Sequence, residues 1–136
     1  MAVTATAVGV LVVDDQAPFR RAARTVIESL DDFQLIGEAE TGEEALAMVD
    51  DLHPSVVLMD INMPGIDGIE ATRRMVAADP NVFVILCSTL AFSDLPGELE
   101  SSGARAYLSK ELFGADELRR IWGGGRRGSF IAAGHP

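Results

Sequence analysis

The chain has 136 residues, of which 48% are hydrophobic, and its 21 acidic and 11 basic side chains give a formal net charge of −10. This length and apolar content suit one domain with a core of its own. The acidic excess repels the phosphate backbone of nucleic acids, so direct nucleic acid binding is not expected. Cys87 is the single cysteine, which excludes an internal disulfide and a paired-thiol metal cluster and favours a reducing, cytoplasmic setting.

The N-terminal run MAVTATAVGVLVV is apolar and passes directly into Asp14 and Asp15. It lacks a basic leader and a small-residue cleavage site, so we interpret it as a strand and not as a signal peptide. The sequence has no stretch of about 18 apolar residues, the minimum for a membrane-spanning helix. Membrane association is therefore not expected.

Short apolar runs alternate with amphipathic segments along the chain. Residues 9–13, 56–59 and 82–86 are continuous apolar runs of strand length, as in strands buried on both faces of a parallel sheet. Weaker strands are predicted at 33–39 and 104–108. Five strands alternating with five helices indicate an α/β sandwich.

The first three predicted helices have clear boundaries. The second, 41–51, opens with a capping box in which Thr41 and Glu44 satisfy free N–H groups. The third, 68–78, ends ahead of Pro80, because a residue before proline avoids the helical region. The first, 18–30, is expected to turn these side chains inward: Phe19, Ala22, Ala23, Val26 and Ile27.

The last two predicted helices are short. Pro96 and Gly97 disfavour helix, so the fourth is expected to be short and mobile, with little more than 98–102 formed. The fifth, 115–122, is expected to end at the glycines 123–125.

Polar side chains follow the predicted strands at the ends where those strands terminate. In a parallel sheet these ends share one edge, which is where open α/β sheets bind ligands. At a separation of ~4 Å, each pair of like charges would cost about 4 kcal/mol, so a carboxylate cluster there must protonate or hold a cation. Mg²⁺ suits oxygen ligands and joins carboxylates to phosphates, and a lysine can reach the same phosphate. The polar residues in question are Asp14, Asp15, Asp60, Ser88, Thr89 and Lys110.

Four motifs in this order, "VVDD", "LMDINMPGIDG", "ILCST" and "AYLSK", resemble the receiver domain of two-component response regulators, over roughly Val10 to Trp122. The resemblance implies a flavodoxin-like, doubly wound, five-stranded parallel sheet in the order 2-1-3-4-5 with five flanking helices. Residues 1–122 would form the receiver domain. Residues 123–136 would be a flexible tail containing glycine and arginine, with no output domain.

The resemblance also implies roles for the polar residues. Asp60 would accept a phosphoryl group from a sensor histidine kinase or a phosphotransfer protein. The phosphoryl group would be held by Ser88 and Lys110, and Tyr107 matches the aromatic residue of the conformational switch. Mg²⁺ would be bound by the following residues: Asp14, Asp15, Asp60 and the backbone carbonyl of Asn62.

The implied output is a conformational change that controls a partner. The chain would then be no enzyme beyond catalysing its own aspartyl phosphorylation and dephosphorylation. A homodimer through the fourth helix, fifth strand and fifth helix is a candidate assembly. The family commonly has a cis proline after the lysine, whereas this chain has Glu111, so the loop there is expected to differ.

Other interpretations stay open on the residues alone. Asp14 and Asp15 would also serve as caps of the helix near Pro18. A phosphohydrolase working through an aspartyl phosphate usually has a second acid two residues after its nucleophile, where this chain has Asn62. The remaining alternatives are the receiver part of a DNA-binding regulator and a binding module that works without phosphorylation.

Overall fold

The computed structural model describes residues 7–90, 95, 97, 99–125 and 130–133, and in this part of the chain six strands alternate with four helices. None of the described helices is long and apolar enough to cross a membrane. The strands are β1 (Val8–Val13), β2 (Phe33–Ala39), β3 (Val56–Asp60), β4 (Phe83–Ser88), β5 (Ala106–Ser109) and β6 (Ile131–Ala133). The helices are α1 (Ala17–Glu28), α2 (Gly42–Leu52), α3 (Gly68–Ala78) and α4 (Ala115–Gly125), with 3-10 turns at Glu100–Ser102 and Lys110–Leu112.

The strands form a single parallel sheet in the order β2-β1-β3-β4-β5-β6. The chain runs outward from β1 to β2 and then crosses back to β3 on the other side of β1. The strand order therefore reverses between β1 and β3, which is the position where open α/β sheets form a crevice at their carboxyl ends.

Two apolar layers enclose the sheet, because successive strand residues point to opposite faces. All residues of β3 and β4 are buried, which explains their continuous apolar sequences. One layer joins Val12 and Leu58 to α1 and α4, and the other joins Leu11 and Met59 to α2 and α3.

Side chains cap the starts of α2 and α3, and at α2 they include the predicted pair, Thr41 and Glu44. The Thr41 hydroxyl accepts a hydrogen bond from the Glu44 N–H at 3.1 Å, and the Glu44 carboxylate accepts one from the Glu40 N–H at 2.8 Å. The Asp67 carboxylate accepts a bond from the Glu70 N–H at 2.8 Å. These bonds satisfy N–H groups that have no partner inside the helix.

Glycine is required where α3 approaches β3. A Cβ built at Gly68 would lie 2.0 Å from the backbone oxygen of Asp60, so only a glycine fits there. Gly65 has a φ of +81°, a backbone conformation that favours glycine in the turn after Pro64. Both glycines shape the loop that follows Asp60.

The prediction of five strands and five helices is wrong in number. A sixth strand, β6, pairs with β5 in the region predicted to be a flexible tail. No α-helix lies between β4 and β5 in the described residues, which carry only the 3-10 turn Glu100–Ser102. The predicted fourth helix otherwise falls partly on residues 91–94, 96 and 98, which lie outside the described part of the chain.

Two smaller expectations about helices are also wrong. The predicted fifth helix corresponds to α4, which continues through the glycines to Gly125, because β6 packs against this end of it and Ile131 lies close to Gly124. Ala22 is exposed, since the inward face of α1 is set by Ala23 and Ile27, four residues apart.

Candidate functional site

Three carboxylates meet at the carboxyl edge of the sheet. Asp14 and Asp15 follow β1, and Asp60 is the last residue of β3, whose parallel pairing with β1 aligns Val13 with Met59. One oxygen from each carboxylate lies within 4.8 Å of the others. Asp14 is fully buried and Asp60 is 5% exposed. The predicted cluster is therefore present.

Lys110 reaches into this cluster from the end of β5. Its Nζ lies 2.6 Å from Oδ2 of Asp14 and 3.4 Å from Oδ1 of Asp60, so one ammonium group contacts two carboxylates. The 3-10 turn that begins at Lys110 is capped by Ser109, whose hydroxyl accepts a bond from the Glu111 N–H at 3.4 Å. The Lys110–Glu111 peptide bond is trans.

The electrostatics of the site follow from burial and charge. Burial and the charge of Asp14 raise the pKa of Asp60 to about 6, although Lys110 and the Asn62 N–H act in the opposite direction. Burial disfavours the charge on Lys110, but the hydrogen bond to Asp14 and the charges of Asp60 and Asp14 raise its pKa overall. The site thus holds an ammonium group between two carboxylates.

The donor set fits a hard divalent cation. Oδ1 of Asp14 accepts a hydrogen bond from the Gln16 N–H at 2.8 Å, whereas the Lys110 ammonium, at 2.6 Å, is the one partner of its buried Oδ2 among the described residues. Carboxylate oxygens are the ligands that Mg²⁺ prefers. Asp14, Asp15 and Asp60 are the residues that could hold it, and the role of the Asn62 carbonyl stays a prediction.

The predicted switch residues lie beside this cluster. Ser88 is buried and stands one position beyond Cys87, the register partner of Asp60. Its Oγ accepts a bond from the Leu90 N–H at 3.0 Å. The neighbouring Thr89 is exposed, so Ser88 is the better placed of the two hydroxyls.

Tyr107 is fully buried on β5. Its hydroxyl donates to the backbone oxygens of Ser88, at 3.2 Å, and Leu90, at 2.5 Å. Burial, partly offset by the hydrogen bond to Ser88, raises the pKa of the phenol. The ring is thus connected to the loop that carries the Ser88 hydroxyl.

Sequence analysis missed the aromatic surroundings of Lys110. Its Nζ lies 4.9 Å from the ring centre of Phe19, and Phe19 packs edge-on against Phe113 at 5.6 Å. The sequence predicts Phe19 only as an inward-facing residue, and the one available signal is its place in the first turn of the helix that follows the aspartates. These rings limit the freedom of the ammonium group.

Arg20 was also missed. Its guanidinium donates to the backbone oxygen of Asp14 at 2.7 Å and lies 3.5 Å from Glu38, which itself pairs with Arg24. This network fixes the backbone that presents the buried aspartate. Cys87, by contrast, is a buried thiol whose pKa is raised by burial, as expected of an inert core cysteine.

The sheet order and the acidic site with its lysine define a flavodoxin-like, doubly wound α/β domain with ligand-binding side chains at the switch point. The profile described as "Response regulator receiver domain" matches residues 10–121. The chain belongs to the response regulator receiver family.

Relatives with known names support this assignment. Response regulator GacA of Pseudomonas syringae pv. syringae is 39% identical over 112 residues, which are 82% of this chain and 52% of GacA. Response regulator UvrY of Escherichia coli is 37% identical over 103 residues, 76% of this chain and 47% of UvrY. The chain therefore spans about half the length of these relatives.

Solved structures share the fold. A LuxR-family response regulator from Aurantimonas sp. SI85-9A1 superposes with a TM-score of 0.81 and 25% identity, covering 92% of this chain and 89% of that one. A chain of the CheX-CheY-BeF3-Mg complex from Borrelia burgdorferi superposes with a TM-score of 0.76 and 30% identity, covering 85% of this chain and 87% of that one.

Proposed function

We propose that this receiver accepts a phosphoryl group on Asp60 from a sensor histidine kinase or a phosphotransfer protein, with Mg²⁺, and that the resulting conformational change controls a partner. The observation that carries the proposal is the placement of Asp60. Its carboxylate is nearly buried, next to Asp14 and 3.4 Å from the Lys110 ammonium. We expect the domain to act in the cytoplasm.

Asp60 is better suited to be the nucleophile than either neighbour. Oδ1 of Asp14 is occupied by the Gln16 N–H, Oδ2 faces Lys110, and the residue is fully buried. Asp15 is partly exposed and lies beside the Gln16 side chain at 3.4 Å. Asp60 stands on the central strand and keeps some access to solvent.

In the transfer step, a carboxylate oxygen of Asp60 attacks the phosphorus atom, the bond between phosphorus and the donor nitrogen breaks, and an acyl phosphate forms. Mg²⁺, when bound, neutralises the charge on the transferred oxygens. Lys110 and the Ser88 hydroxyl provide the remaining positive charge and hydrogen bonding. Nothing in this step requires catalysis of any other reaction, so the domain modifies only itself.

The conformational effect of phosphorylation would reach the surface through Ser88 and Tyr107. The Ser88 Oγ now accepts a bond from the Leu90 N–H, and a phosphoryl oxygen on Asp60 would draw it away. Tyr107 bonds the backbone of both Ser88 and Leu90, so it would respond to the same movement. The relay would act through these hydrogen bonds.

The candidate partner surface lies around β5 and α4, and β6 adds to it. A homodimer through this surface is one form that the output could take. The relatives GacA and UvrY are about twice as long as the matched region, so a receiver within a longer DNA-binding regulator is a second candidate. A solved neighbour is described as a DNA-binding response regulator from Staphylococcus aureus, with a TM-score of 0.75 and 26% identity.

The proposal is tested by incubating the protein with acetyl phosphate and Mg²⁺ and measuring intact mass. We expect one base-labile phosphoryl group, which disappears in Asp60→Asn because an amide is a poor nucleophile. Asp67→Asn is the matched control, since asparagine also caps a helix and the residue is exposed. A wild-type level of adduct in Asp60→Asn, or no adduct on the wild type with any donor, would leave a phosphorylation-independent binding module as the better interpretation.

A further inference from the structure

The strand β6 lies beside the strand that carries Tyr107. The Ile131 N–H donates to the backbone oxygen of Arg105 at 3.1 Å, and Ala132 is the register partner of Tyr107. Because strand residues alternate between faces, Phe130 and Ala132 share the face of Tyr107, while Ile131 lies on the other face. Packing agrees with this alternation, since Phe130 contacts the core layer that contains Tyr107.

Tyr107 is fully buried in the sheet. Its ring is 0% exposed, and its hydroxyl bonds two backbone oxygens. Contacts within the protein therefore hold the ring inward. On the outer side of β5, β6 pairs with the backbone of Tyr107, and Phe130 packs against the core layer that contains the ring.

A second contact anchors β6 to α4. Ile131 packs on the other face of the sheet, in the core layer that also includes Leu108 and Trp122. A Cβ built at Gly124 would lie 2.9 Å from Cδ1 of Ile131, whereas a Cβ at Gly123 would meet nothing within 4 Å. A side chain added at Gly124 would therefore collide with Ile131, whereas one added at Gly123 would not.

We propose that residues 130–133 act as a clamp on Tyr107, with Phe130 as its positioning residue. Docked on β5, the clamp holds the ring buried and, through the bonds from its hydroxyl to the backbone of Ser88 and Leu90, holds in place the loop that offers the Ser88 hydroxyl to a phosphoryl group on Asp60. This second half rests on the proposed function. Coupling between two sites is reciprocal, so displacing the clamp must also weaken phosphorylation. A strand of three residues is short enough to open locally while the rest of the domain stays folded.

The clamp is tested first without a phosphodonor. Tyr107 is the only tyrosine in the chain, so 3-fluorotyrosine gives a single fluorine resonance that reports on this ring. In Gly124→Leu, amide exchange at Ile131 should rise, and the fluorine resonance should move and become accessible to a soluble paramagnet. Gly123→Leu changes the helix in the same way but leaves β6 seated, so its spectrum should match the wild type.

Phe130 is tested in the same experiment. Phe130→Ala should expose the ring, and Phe130→Leu should restore its buried resonance, because leucine keeps an apolar side chain at that position. Free energies of unfolding are measured in parallel, and a variant that loses stability without moving the resonance counts against the clamp. Rapid exchange at Ile131 in Gly124→Leu with an unchanged fluorine resonance would overturn it.

The coupling is tested with acetyl phosphate and Mg²⁺. At a fixed donor concentration, the ratio of phosphorylated to unphosphorylated protein should be lower in Gly124→Leu than in Gly123→Leu by about fivefold or more. An equal or higher ratio in Gly124→Leu would overturn the inference, since β6 would then be neutral or inhibitory. Failure of the wild type to take up any phosphoryl group would overturn the proposed function instead, and the fluorine comparison would still decide whether the clamp exists.

Discussion

The ammonium of Lys110 lies 2.6 Å from Oδ2 of Asp14 but 3.4 Å from Oδ1 of Asp60. The lysine is therefore held mainly by the carboxylate that we do not assign as the nucleophile. This arrangement leaves Asp60 the less closely paired of the two carboxylates, with a positive charge beside it. A phosphoryl group on Asp60 would bring its oxygens into reach of the same ammonium.

Replacing Lys110 should slow phosphoryl transfer more than it affects folding. We expect Lys110→Ala to lower the rate of adduct formation from acetyl phosphate by about a hundredfold, the typical effect of losing one charge-stabilising donor. Lys110→Arg keeps the charge and should recover part of the rate. Unchanged kinetics in Lys110→Ala, measured by intact mass over time, would remove the lysine from the proposed step.

Asp60→Asn should stabilise the metal-free protein in a pH-dependent way. The pKa of Asp60 is raised from 3.8 to about 6, so the folded state binds the proton more tightly than the unfolded state. Stability associated with this proton is complete below pH 3.8 and is lost as the pH rises through about 6. At pH 7 the variant should be more stable by roughly 1 to 2 kcal/mol.

The corresponding measurement is urea unfolding of both proteins at pH 4 and pH 7 in the presence of a chelator. The difference between them should shrink toward zero at the lower pH. A difference that is constant across this range would show that the carboxylate is not the source of the effect.

Mg²⁺ should raise the melting temperature, because it binds the folded acidic cluster and not the unfolded chain. The effect should weaken as the pH falls below about 6, where protonation of Asp60 competes with the metal. Asp15→Asn should reduce the shift, and Asp67→Asn should preserve it. Chemical-shift mapping provides the direct check, and unmoved amides around Asp14 and Asp60 at millimolar Mg²⁺ would contradict the assignment.

Ser88→Ala should separate phosphorylation from its output. The variant should still form the Asp60 adduct, but amides along β5 and α4 should not shift as they do in the phosphorylated wild type. Thr89→Ala is the matched control, because this neighbouring hydroxyl is exposed and should not matter. Identical shifts in the two phosphorylated variants would refute the relay through Ser88.

Gly68→Ala should disrupt the site through the backbone. Its Cβ would lie 2.0 Å from the backbone oxygen of Asp60, so the start of α3 or the end of β3 would have to shift. We expect a loss of roughly 3 kcal/mol or more in unfolding free energy, together with poor phosphorylation. Gly123→Ala, placed in open space inside α4, should instead be neutral or stabilising. Equal stability of Gly68→Ala and the wild type would contradict the close approach.

The central strands and the acidic edge could be predicted because their signals are local. A run such as VVLMD shows in its own residues both burial and the carboxylate at its end, and the bounds predicted for the second strand and the third helix match β2 and α3. The contact between Phe19 and Lys110 could not be predicted from local sequence, because the two residues are 91 positions apart in the chain.

The strand after Trp122 was not predicted, for a different reason. Glycine lowers helix propensity and the composition indicates flexibility, so the local signals favour an irregular tail. Strand β6 forms because β5 offers an open ladder and because Ile131 finds space at Gly124. Neither condition can be seen in residues 123–136 alone.

The position of β6 also bears on colloidal behaviour. Strand β5 has the apolar sequence AYLS with all of its residues buried, and as the outermost strand it would offer an unpaired ladder on which other chains could polymerise. β6 covers that ladder and leaves a boundary only three residues long, with Ala132 exposed on it. Short edge strands with little apolar surface are poor templates for intermolecular β-pairing. The short segment therefore protects the domain from aggregation through β5.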